Sequence, residues 1–227
     1  MQDDSPTHLA LAVLEVYMKL GNALLALAFV AAVPAFATPL TPGGLDPAAP
    51  IGTTAANLTL LSPVINGTIS PGTFTASYGT AVFRDSLNPF CATCLDFSYY
   101  VSNDGASGVI ERITGFNFDN LMVDVGYLTN SGGLAPLTID RSANGGVIGF
   151  NYLPSVINPG QHSDFLIIRT NATDYTKGLI SIQDGSAGTG AAYQPVLPAA
   201  VPEPSSLLLL GTGLLGAAGA ARRKFSL

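Results

Sequence analysis

The chain has 227 residues, with nine Lys and Arg against fifteen Asp and Glu, for a formal charge of −6. An acidic, lysine-poor chain lacks the cationic footprint that nucleic-acid phosphates require, which excludes that class of partner. Apolar residues make up 48%, but much of that hydrophobicity sits at the two ends. Residues 38–200 hold five basic and eleven acidic side chains and enough length for one domain with a real core.

Residues 1–17 carry Asp3, Asp4 and Glu15 and no Lys or Arg, a poor opening for an export signal. Met18 and Lys19 make a better one. Lys19 leads into the apolar run 23–33, Pro34 breaks it, and Ala35-Phe36-Ala37 has the A-x-A form of a cleavage site. The expectation is a secretory signal-peptide helix in 1–37, with translation starting at Met18 and the mature chain at Thr38. Residues 38–52 hold Pro39, Pro42, Pro47, Pro50 and Gly43-Gly44, which predicts a linker or irregular arm.

From residue 53 onward, short β-prone runs alternate with turn signals. Runs 57–61, 73–78 and 80–84 are separated by Asn66-Gly67 and Pro71-Gly72. The strongest strand is 95–102, with Leu95, Phe97, Tyr99 and Val101 on one face and Asp96, Ser98, Tyr100 and Ser102 on the other. In 121–127, Leu121, Val123, Val125 and Tyr127 point inward, and Met122 and Asp124 outward. Ile148, Phe150 and Tyr152 share a face, Asn158-Pro159-Gly160 fits a type II turn, and 163–170 is nearly continuously apolar, as a central strand is. Runs 178–183 and 188–198 follow, around an Asp184-Gly185 turn. No sustained helical period appears. The fold class predicted is all-β, a single antiparallel β-sandwich over 53–194, with Phe97, Tyr99, Val125, Phe150 and Ile167 buried between the sheets. Residues 195–204 form a proline-rich stalk.

The end of the chain has three parts: Pro202-Glu203-Pro204, an uncharged Leu/Gly/Ala run over 207–221, and Arg222-Arg223-Lys224. An apolar run flanked by Lys and Arg reads as a transmembrane helix with its basic end on the cytoplasmic side. Fifteen helical residues reach roughly 22 Å, short of a ~30 Å hydrocarbon core, which suits a temporary anchor within 205–227. In order, spacing and position this tail resembles the PEP-CTERM sorting signal of bacterial surface proteins. The resemblance implies processing by an exosortase, a membrane-embedded transpeptidase that removes the tail and passes the ectodomain to the cell surface or matrix. The runs LDFSYYVSNDG and NPGQHSDFLIIRTNATDYTKGLISIQDG also resemble ectodomains of PEP-CTERM proteins, which bears on architecture and not on activity.

Few residues carry recognisable chemistry. Cys91-Ala92-Thr93-Cys94 precedes a strand rather than a helix, so the helix-assisted thiolate of a redox pair is missing; two cysteines in an exported chain most simply form one disulfide. His162-Ser163-Asp164 has the letters of a hydrolase triad, but consecutive strand residues point to opposite faces, and His162 is expected to be a solvated turn residue. Asp104, Asp119, Asp124, Asp174 and Asp184 lie in or near turns without a calcium-loop pattern, so no metal or other cofactor is expected. Tyr100 stands on the polar face of its strand and is the best candidate for stacking on a sugar. Tyr78, Tyr99, Tyr127 and Tyr152 sit on apolar faces and are expected in the core. The reading is therefore a non-enzymatic, exported surface or matrix protein. A glycan-binding module with an exopolysaccharide partner is the alternative, and a secreted hydrolase the remote one.

Overall fold

The chain divides into two units at the boundary between Ala37 and Thr38. A computed structural model describes residues 39–104, 108–129, 131–197 and Thr212. The expected signal peptide with Ala35 and Ala37, and the tail residues Pro202, Glu203, Pro204, Arg222, Arg223 and Lys224, lie outside the described residues.

Among the described residues, twelve strands form two antiparallel sheets, and the all-β reading holds. The first sheet runs β1 (Leu45–Pro47), β8 (Thr138–Arg141), β9 (Val147–Asn151), β6 (Arg112–Phe116), β11 (Tyr175–Asp184), β12 (Ser186–Pro195) in spatial order. The second runs β2 (Leu58–Leu60), β4 (Ala76–Asp85), β5 (Leu95–Asn103), β10 (Phe165–Thr170), β7 (Val123–Leu128). A further strand, β3 (Ile65–Ile69), pairs with β4 on the same edge as β2.

The period-2 pattern of 95–102 becomes β5, and its apolar side packs on the first sheet. Leu95, Phe97, Tyr99 and Val101 are buried in one core with Ile113, Ile148, Phe150, Ile180 and Ile182. Each such side chain contributes about 1.5–3 kcal/mol through burial. Tyr99 of β5 reaches across to Gly115 of β6: a Cβ at Gly115 would lie 2.7 Å from the Tyr99 hydroxyl, so glycine there makes room for the ring. Phe97 meets Phe118 edge-to-face, with ring centroids 5.7 Å apart. The turn at 158–161 has the expected form: Gly160 takes φ 79°, and the Gln161 N–H donates to the Asn158 carbonyl at 2.9 Å. The nearly continuous apolar run is β10, central between β5 and β7.

Two expectations need correction. Residues 38–52, read as a linker or irregular arm, contribute strand β1 over Leu45–Pro47, which pairs with β8; Pro47 is tolerated because an edge strand needs fewer ladder donors. The arm then follows the free edge of β7, where the Ile51 N–H donates to the Tyr127 carbonyl at 2.9 Å. Gly126 permits this approach, since a Cβ there would lie 2.5 Å from the Ala49 carbonyl oxygen. Second, Ile167 is buried, but on the outer face beside Gly126 and Ser98; Leu166 and Ile168 are its neighbours that enter the core. Val125 is half-buried and packs against the core rather than within it. Asp96, Ser98 and Asp124 point away from the core, as expected from the alternation, and all three are buried.

Candidate functional site

The outer face of the second sheet collects the unusual chemistry of the described residues. Cross-strand register places Asp85 (β4), Asp96 (β5), Arg169 (β10) and Asp124 (β7) at one end of that face. Arg169 donates through Nε and Nη2 to Asp85 Oδ2, at 3.0 and 2.7 Å, and through Nη1 to Asp124 Oδ2 at 3.3 Å. Asn88 donates to Asp96 Oδ1 at 2.8 Å, and Thr53 of the arm donates to Asp85 Oδ1 at 2.9 Å. The arm thus closes over a buried cluster of one cation and three carboxylates. Burial, opposed by the Asn88 hydrogen bond and the charge of Arg169, pushes Asp96 up to about 7. Burial also raises Asp124, with Arg169 pulling the other way. Sequence reasoning missed this cluster. Its one signal is an arginine inside the apolar strand FLIIRT, with an aspartate inside each of two neighbouring strands.

Beside the cluster, an apolar groove of about 420 Å³ runs between the arm and the sheet, lined by Thr53, Leu58, Phe83, Leu128 and Phe165. Phe83 and Phe165 meet edge-to-face within it, with centroids 6.0 Å apart. Further along the same face lies Tyr100, half-buried, with its ring centroid 5.3 Å from that of His162 and a tilt of 36°. His162 is half-buried rather than a solvated turn residue, because its backbone bridges to Ser102 and its ring lies against Tyr100. The other tyrosines considered behave largely as expected. Tyr78, Tyr99 and Tyr152 are buried, and Tyr127 packs half-buried against the core.

The residues with triad letters have separate partners. His162 Nδ1 lies 3.0 Å from the Ser163 carbonyl, Ser163 Oγ accepts from the Val101 N–H at 3.1 Å, and Asp164 Oδ1 accepts from Ser131 Oγ at 2.6 Å. Cys91 and Cys94 are joined by a disulfide in a turn just before β5. The turn aspartates are dispersed: Asp124 faces Arg169, Asp184 accepts from the Val109 N–H at 3.3 Å, and Asp174 accepts from the Tyr175 N–H at 2.8 Å. Among the described residues, no group of three His, Cys, Asp or Glu side chains is arranged to hold a metal ion, and no helix is long and apolar enough to cross a membrane. On the outer face of the first sheet, Arg112 lies across Gly149 and grips Asp140, with Nη2 to Oδ2 at 2.8 Å. Asn151 adds a hydrogen bond to Asp140 Oδ1 at 2.7 Å, so these polar groups are engaged with one another.

No curated protein and no solved structure shows a significant match to the chain. The family model of the PEP-CTERM protein-sorting motif matches residues 200–224. Those residues include the Pro202-Glu203-Pro204 tripeptide, the apolar run and the basic cluster, and they follow β12 by only a few residues. The functional element of this chain with an assigned family is thus its C-terminus, which carries a PEP-CTERM protein-sorting motif that marks the chain for export and sorting.

Proposed function

We propose that the chain is an exported, non-catalytic protein of the cell surface or extracellular matrix, whose β-sandwich is delivered by its C-terminal signal. The observation that carries this reading is the sorting motif at 200–224, set directly behind a strand that ends at Pro195. A signal peptide cleaved after Ala37 opens the mature chain at Thr38, where the second unit begins. The run 207–221 then inserts as a weak anchor, with Arg222, Arg223 and Lys224 held on the cytoplasmic side. Pro202 and Pro204 resist helix formation, so the motif stays extended just outside the bilayer. An exosortase-like transpeptidase cuts there and releases the domain outward. The separate hydrogen bonds of His162, Ser163 and Asp164 support a structural rather than hydrolytic role for the domain. Cell fractionation with an antibody to the β domain tests this reading.

A second reading, glycan recognition, is favoured by one observation: Tyr100 stands half-buried on an outer sheet face with its ring held against His162.

A further inference from the structure

We propose that the outer face of β3, β4 and β5 is a binding site for a neutral saccharide, with Tyr100 as its stacking wall and Asn66, Thr68 and Ser77 as its hydrogen-bonding groups. This rests on the glycan-recognition reading and gives it a place. The register builds the site from two rows. Asn66, Gly79 and Tyr100 lie side by side across the three strands, and Thr68, Ser77 and Ser102 form the next row. Side chains in such rows share one face of the sheet. Asn66, Thr68, Ser77, Gly79 and Tyr100 border a groove of about 420 Å³.

Gly79 lies at the middle of the groove. Its backbone is not in the left-handed region, so conformation does not demand glycine there. A Cβ would lie 3.1 Å from Asn66 Oδ1 and would fill the floor. Glycine leaves that floor as bare backbone between an aromatic ring and an amide. The ring is held in place from behind: His162 lies against it, and the carbonyl of Ser163 beside His162 Nδ1 fixes the imidazole in turn. A wall that is already ordered loses little side-chain freedom when a ligand arrives.

The chemistry of the lining selects the ligand. Among the described residues, the side chains of Asn66, Thr68, Ser77 and Tyr100 make no hydrogen bond to the protein. On the first sheet, by contrast, Arg112, Asp140 and Asn151 satisfy one another. The groove therefore offers hydroxyls, an amide and a phenol, all uncommitted, and no charged side chain lines it. A phosphate or carboxylate ligand calls for Arg or Lys, and a divalent cation calls for carboxylates. Neither is present, and a chain of net charge −6 repels polyanions. A pyranose supplies what fits: an apolar C–H face for the ring and neutral hydroxyls for the rim.

The test uses the full-length chain in detergent, applied to an array of neutral and uronic-acid oligosaccharides, with calorimetry on the strongest neutral probe. Saturable binding to neutral glycans, with uronic acids left unbound, is expected. Tyr100→Ala should weaken it roughly tenfold, Asn66→Ala about fivefold, and Leu179→Ala on the opposite sheet not at all. Asn66 is exposed, so its variant keeps the test decisive if Tyr100→Ala does not fold. Neutral-glycan binding unchanged in both groove variants would overturn the site while leaving glycan recognition standing. Capture of uronic acids alone would overturn the site's selectivity for neutral sugars. No capture of any glycan would overturn both the site and the reading beneath it.

Discussion

Asp96 Oδ2 lies 3.9 Å from Arg169 Nε, within ion-pair distance, yet it receives no hydrogen bond. The guanidinium donates instead to Asp85 and Asp124. One buried cation therefore serves three carboxylates, and Asp96 is the one left over. The cost of burying its charge appears as the rise to about 7. An unfolded Asp titrates near 3.8, so the folded chain holds this proton more tightly than the unfolded one. The stability linked to Asp96 is thus fully present below about pH 4 and is lost as pH rises through about 7. Asp124 shifts in the same direction.

Asp96→Asn keeps an acceptor for Asn88 and removes the titration. The variant should be more stable than wild type at pH 8, by roughly 1–3 kcal/mol, and should lose much of the decline in stability between pH 5 and pH 8. Urea unfolding at the two pH values measures both quantities. A variant less stable at pH 8, with the wild-type pH slope intact, would show that Asp96 works as an ionised partner of Arg169.

Arg169→Leu removes the cation and leaves three buried carboxylates facing one another across β4, β5, β10 and β7. Breaking a buried charge network from one side costs about 3–5 kcal/mol. Part of that loss should return at pH 5, where Asp96 and Asp124, both shifted up by burial, more readily take up protons. Melting curves at pH 5 and pH 8 check this; an equal loss at both values would mean that packing, not charge, dominates at Arg169.

The inward faces of the strands were legible because a period of two in apolar residues has one good solution. Leu95, Phe97, Tyr99 and Val101 must share a side, and the structure buries that side. The outward faces were not legible to the same degree. Asp96, Ser98 and Asp124 look like solvent-facing positions in any strand pattern, and their burial rests on tertiary neighbours: Asn88 on Asp96, Arg169 on Asp124, and the arm at 49–53 on Asp85 and the edge of β7. That arm was itself illegible: its prolines are a loop signal, and its pairing depends on the edges of β8 and β7, distant in sequence. Tyr100 was visible as the aromatic on a polar face. His162 beside it was not, because the contact joins residues 62 positions apart in the chain. The sorting tail was the most legible element, since its order of motif, apolar run and basic cluster needs no tertiary context.

Phe97 is fully buried and meets Phe118. Phe97→Ala should cost about 3–5 kcal/mol, a large part of the ~5–15 kcal/mol that holds a domain together. Thermal unfolding of the variant should begin well below wild type. An unchanged melting temperature would mean that β5 does not present this face to the core.

The disulfide between Cys91 and Cys94 closes a loop of sequence separation three. The core is built from strands far from it, so reduction should lower stability modestly, by roughly 2 kcal/mol in the loop-entropy model, and leave the fold in place. Circular dichroism with and without mild reductant reads this directly. Complete unfolding on reduction, or two free thiols in peptide maps of the exported protein, would contradict it.

Sorting and removal of the tail are assigned to the motif at 200–224. Replacing Pro202, Glu203 and Pro204 with alanine and following the β domain through cell fractions by antibody and intact mass tests that assignment most directly. Wild-type protein should appear at the surface or in the matrix, lacking 207–227, and the triple-alanine variant should be retained at full length in the inner membrane. Full-length wild-type protein at the surface, or normal release of the variant, would contradict it and leave a simple tail anchor.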